Sequence, residues 1–178
     1  MPNRRANLAS SSTREFARTA TIITVRAKFS RNPRGTARAQ TLGMNPQAEQ
    51  LKHRTFAFAI RNIRFCRTLR MTWEGRELSD QLFRAGTRVG ANYRSACYAL
   101  SDRDFVVKIG RVVEEADETV YWLELVQAAA VVRNTDLRSL LQEASELSSI
   151  FNQSQLTAKR NLAAKKARKS AKRAPASP

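Results

Sequence analysis

The chain has 178 residues, 42% of them hydrophobic, which is enough for one domain with a real core and too little for two full ones. Its two cysteines, Cys66 and Cys97, lack Cys-x-x-Cys spacing, which argues against a disulfide framework and for buried thiols in a reducing, cytoplasmic setting; no apolar run approaches the roughly 20 residues of a membrane span. The formal charge of +17 sits at the ends: nine Lys and Arg against one acid in residues 1–43, fifteen against fourteen in 44–155, and eight against none in 156–178.

Residues 1–43 are rich in Arg, Ser, Thr and Ala, hold the single acid Glu15, and offer only 21–25 as a short β-like run, so they are expected to be disordered. The composition fits an organellar transit peptide; the plainer reading is a stretch ahead of a translation start at Met44, where helical periodicity begins.

A first helix is expected over residues 47–71. Leu51, Phe56, Phe58, Ala59, Ile60, Ile63, Phe65, Cys66 and Leu69 cover an arc of about 220°, against the ~100° stripe of an ordinary surface helix. After a short turn, a second helix over 76–99 carries Leu78, Leu82, Ala85, Val89, Tyr93 and Ala96 in steps of three and four, the spacing of a bundle. Gly86 and Gly90 weaken it by about 1 kcal/mol each, which close approach of a neighbouring helix would offset. Ser101 and Asp104 make a capping-box-like start to a third helix, running to about residue 132, with Phe105, Ile109, Val112, Ala116, Val120, Leu123 and Gln127 inward. Asn134, Thr135 and Asp136 supply a turn and N-cap for a fourth, with Leu137, Leu140, Leu141, Ala144, Leu147, Ile150 and Phe151 inward. Short connections between four helices imply an all-α, antiparallel up-down-up-down bundle over 44–157. Residues 158–178, built of Ala, Lys, Arg, Ser and Pro, have nothing to pack and are expected to be a disordered basic tail, whose first part could extend the fourth helix when bound.

Catalytic chemistry finds little footing. One histidine, His53, on a polar arc rules out a di-iron bundle site with two Glu-x-x-His motifs, and there is no P-loop or Gly-x-Gly-x-x-Gly spacing. Glu114, Glu115, Asp117, Glu118 and Glu124 cluster on the third helix as a solvated or salt-bridged face. A non-enzymatic protein with no cofactor and no metal is the expectation. The cations are more telling. Arg54, Arg61 and Arg64 share the polar arc of the first helix and Arg84 and Arg88 the outer face of the second, so together they could hold phosphates. Lys165, Lys166, Arg168, Lys169, Lys172 and Arg173, unrelieved by any acid, suit a polyanion through counterion release. The bundle halves also differ in sign, ten bases against four acids in 44–100 and five against ten in 101–155. Arg84 and Arg88 meeting Glu114 and Glu118 of another copy would give a head-to-tail contact, and such contacts close into rings.

The blocks Arg84-Ala85-Gly86-Thr87-Arg88-Val89-Gly90-Ala91-Asn92-Tyr93 and Glu114-Glu115-Ala116-Asp117-Glu118, followed by Trp122-Leu123-Glu124-Leu125, resemble the 23S rRNA-intervening-sequence family of four-helix-bundle proteins over residues 51–151. The resemblance implies a ring-forming bundle, typically a pentamer, related to the accessory variability determinant of diversity-generating retroelements, which binds nucleic acid and a reverse transcriptase. The Glu-Gly that follows the Asn in many members is absent after Asn92, so no role tied to it is carried over. The two functional expectations are therefore an oligomeric RNA- or DNA-binding bundle and a protein-interaction scaffold or accessory subunit.

Overall fold

The computed structural model describes residues 45–132 and 135–171, which form four helices: α1, Pro46–Leu69; α2, Trp73–Cys97; α3, Asp102–Ala128; and α4, Thr135–Ala171. They are the expected all-α, up-down-up-down bundle. The expectations for residues 1–43 and for Lys172 and Arg173 lie outside the described residues.

α1, α2 and α3 each begin where a side chain can accept an orphan backbone N–H, and the turn expected at Asn134 before α4 lies outside the described residues. Asn45 accepts from Gln47 N with Pro46 following, Thr72 accepts from Gly75 N, and Ser101 accepts from Asp104 N at 3.1 Å. Asp104 returns the favour by accepting from Leu100 N at 2.9 Å, which holds its carboxyl below the usual carboxylate range. The α1–α2 turn is so tight that a Cβ on Gly75 would stand 1.9 Å from the Leu69 carbonyl oxygen.

Two rows of residues seven apart fill the core from every helix: Leu51, Phe58, Phe65 and Thr55, Asn62, Leu69 on α1; Leu82, Val89, Ala96 and Ser79, Gly86, Tyr93 on α2. On α3 they are Ile109, Ala116, Leu123 and Val112, Thr119, Val126, and on α4 Leu137, Ala144, Phe151 and Leu140, Leu147, Ser154. This repeat is bundle packing, and each large apolar side chain so buried contributes about 1.5–3 kcal/mol before entropy is counted. The α1–α2 seam carries polar members. Asn62, fully buried, donates Nδ2 to the Leu82 carbonyl at 2.8 Å, and Ser79 Oγ donates to the Cys66 carbonyl at 3.1 Å. Gly86 and Gly90 of α2 serve this approach as expected. A Cβ on Gly86 would meet Asn62 Nδ2 at 2.2 Å, and one on Gly90 would touch the Thr55 carbonyl oxygen at 3.4 Å.

Two boundaries differ from expectation by four residues or more. α3 stops at Ala128, short of 132, because Val131 N donates to Val126 O and Ala130 N to Gln127 O, a Schellman arrangement with Ala130 at φ 50°. An alanine there carries a Cβ penalty of about 1–2 kcal/mol that glycine avoids, against glycine's greater chain entropy. Ala130→Gly is expected to stabilise the bundle by about 0.5–1 kcal/mol in urea unfolding, and a loss of stability would mean that this turn is not held as described. α4, in turn, runs on through residues 158–171, assigned above to a disordered tail. That stretch has no Gly or Pro and is dominated by Ala, Lys, Arg and Leu, the strongest helix formers, so it propagates a helix already nucleated in the bundle.

Candidate nucleic-acid interface

Arg54, Arg61 and Arg64 of α1 lie on the seam with α4, which is narrower than the seams joining the other neighbouring pairs. Arg54 is engaged there: Nε donates to Glu143 Oε1 at 2.7 Å, and Nη2 donates to Glu143 Oε2 at 3.0 Å and Glu146 Oε2 at 2.6 Å. These bonds, Glu143 first, raise the guanidinium pKa further. Arg61 Nη2 donates to Ser139 Oγ at 2.9 Å, and Arg61 and Arg64 line a cleft of about 450 Å³ with Phe65, Thr68, Asp136 and Leu140.

Arg84 and Arg88 stand at the opposite seam, between α2 and α3. Arg88 Nη1 reaches Glu115 Oε1 at 3.7 Å, and Arg84 is exposed. The five arginines therefore do not form one patch, because α1 and α2 turn their polar arcs to opposite sides of the bundle. Part of that cationic surface is also spent inside the molecule, through Arg54 and Arg88. Burial pushes the Glu115 carboxyl up, Arg88 opposes this, and the neighbouring Glu118 and Glu114 add to the rise. Glu118 accepts from Trp122 Nε1 at 3.0 Å, and Glu114 is exposed. The acidic cluster is thus partly salt-bridged and partly solvated, as its spacing implied.

The cations of α4 behave differently. Lys159, Arg160, Lys165, Lys166, Arg168 and Lys169 are all exposed, and Lys165 Nζ donates to the Asp102 carboxylate at the start of α3. At 37 residues α4 is about 55 Å long, against about 36–40 Å for the other three, so its end passes the bundle. The six residues after Lys165 project about 9 Å beyond that tie.

Other candidate groups are quiet. His53 is exposed, Cys66 is buried with its thiol pushed up to about 11 by desolvation, and Cys97 is half-buried with its thiol also raised. Such thiols are poor nucleophiles at neutral pH. Among the described residues no three His, Cys, Asp or Glu side chains gather as a metal site, and no helix is long and apolar enough to cross a membrane. Sequence reasoning passed over Glu143 and Glu146 as partners of Arg54. Their spacing of three on one flank of α4 was the available signal.

No curated protein matches the chain. A crystal structure of a protein of unknown function from the S23 ribosomal protein family of Bacteroides thetaiotaomicron is 30% identical, with a TM-score of 0.54, covering 59% of this chain and 94% of its own. The family model described as 23S rRNA-intervening sequence protein matches residues 49–153, so the bundle is inside the match and the basic end of α4 is outside it. The chain belongs to the 23S rRNA-intervening sequence protein family.

Proposed function

We propose that this protein is a non-enzymatic, oligomeric nucleic-acid-binding bundle in which the basic end of α4 supplies the main phosphate contacts. The observation that carries the reading is the run of six exposed cations between Lys159 and Lys169 on a helix that outruns the bundle, in a segment with no acid from residue 156 onward. Phosphates displaced from their counterions by such a run bind with an affinity set by salt. Arg61, Arg64 and Arg84 are secondary phosphate contacts in this reading. Arg54 and Arg88 contribute less, because Glu143, Glu146 and Glu115 already compete for them.

Assembly belongs to the same proposal. Phe56 of α1 and Phe83 of α2 are 56% and 45% exposed, with the Arg94 guanidinium 5.7 Å from the Phe56 ring, so part of the wide apolar arc of α1 and an apolar ring of α2 stay uncovered within one subunit. A closed ring, a pentamer in the family's manner, would cover it and display several basic ends side by side, multiplying their avidity. The same exposed rings favour the second reading, a scaffold for another protein.

The test replaces Lys165, Lys166, Arg168, Lys169, Lys172 and Arg173 by Gln in the full chain and measures RNA and DNA affinity against salt. The slope of log affinity on log salt is expected to fall in magnitude by about 5 on a duplex, with the mass in solution unchanged. An unaltered slope rejects the phosphate-binding reading, and a monomeric wild type at micromolar concentration rejects the oligomeric one.

A further inference from the structure

We infer that the basic end of α4 selects duplex DNA over single strands, entering the major groove as a helix without reading sequence. This rests on the nucleic-acid reading above and names the class of ligand. Three features carry it.

The first is shape. Ala167 and Ala171 keep the projecting end slim between its cations. A helix about 10–12 Å across suits a B-form major groove about 12 Å wide. The roughly 9 Å by which it projects past the Lys165–Asp102 tie matches the groove's depth of about 8.5 Å.

The second is the distribution of charge. At 100° per residue, Lys166 and Arg168 on the projecting end point about 160° apart, with Lys169 between them. A flat surface or a single strand would use one side of such a helix and waste the other. A groove has phosphates on both walls and uses both.

The third is what the segment lacks. No aromatic residue follows Phe151, so there is no platform on which unpaired bases could stack. Beyond the tie the long side chains of α4 are Lys166, Arg168 and Lys169 alone, and the phosphates of the two walls engage them, which leaves backbone contacts without sequence choice. A-form RNA offers only a deep, narrow major groove, so it takes the helix less well.

The experiment measures full-length protein against a 20-base-pair DNA duplex, one of its strands, and the RNA duplex of the same sequence, at several salt concentrations. The DNA duplex should bind about tenfold or more tightly than the strand at about 0.1 M salt, because only the duplex lets the intact helix set cations against two phosphate walls at once, and more tightly than the RNA duplex. Scrambling the DNA sequence should leave affinity within about twofold. The Ala164→Pro, Ala167→Pro variant keeps every charge and breaks the helix, so it should lose the duplex preference while single-strand binding persists. Equal or tighter binding of the strand or of the RNA duplex by the wild type overturns the inference. So does a duplex preference that survives both prolines. Absence of salt-dependent binding to all three probes instead overturns the reading on which the inference rests.

Discussion

Gly86→Ala is expected to destabilise the bundle by about 2–4 kcal/mol, although alanine is the better helix former by about 1 kcal/mol. The added Cβ would stand 2.2 Å from Asn62 Nδ2 and 2.6 Å from its Cγ. Asn62 is fully buried and cannot swing into solvent, so the clash is relieved by giving up its hydrogen bond to the Leu82 carbonyl, which leaves a buried amide unsatisfied. The partner variant separates the two effects. In an Asn62→Ala background the same glycine substitution should be close to neutral or slightly stabilising, because the obstacle is gone and helix propensity remains. Urea unfolding of the four proteins gives a coupling of about 2 kcal/mol or more if Asn62 is the obstacle. Additive losses would place the cost in the α2 backbone instead.

This pair also shows where sequence reading reaches and where it stops. Residues seven apart that are apolar on all four helices can be counted along the chain, so the bundle, its core and its antiparallel order were legible, as was a close neighbour for Gly86. Asn62 was not, because on α1 alone it is one more polar residue beside Arg61, and only the facing carbonyl of Leu82 makes it a core residue. Arg54 is the same case at longer range: its carboxylates lie 89 and 92 residues away, and their spacing of three on α4 marks a shared flank without naming its partner. The extent of α4 was misjudged for another reason. The segment has no packing face, yet a nucleated helix of Ala, Lys and Arg continues until propensity fails. The arginines were read correctly as polar-arc residues, but an arc is a direction on one helix. Which arcs face each other is decided by packing, and here α1 and α2 face apart.

Arg54→Ala is expected to cost about 1–2 kcal/mol of stability and to change the salt slope of nucleic-acid binding by less than one phosphate's worth, about 0.9. Arg54 holds Glu143 through two parallel bonds and Glu146 through a third, and its side chain and that of Glu143 are only about a quarter exposed, so screening is partial. Removing the guanidinium leaves two carboxylates three residues apart on α4 to repel each other, on the narrowest seam of the bundle. Arg54→Lys should recover part of the loss, since an ammonium supplies the charge but not the planar fork. Because the contribution is electrostatic, the difference between wild type and Arg54→Ala should shrink between about 0.05 and 0.5 M salt, where the Debye length falls below the spacing of the exposed charges. The outcome that would move Arg54 from clasp to phosphate ligand is the reverse pattern, unchanged unfolding with a slope reduced by about 0.9.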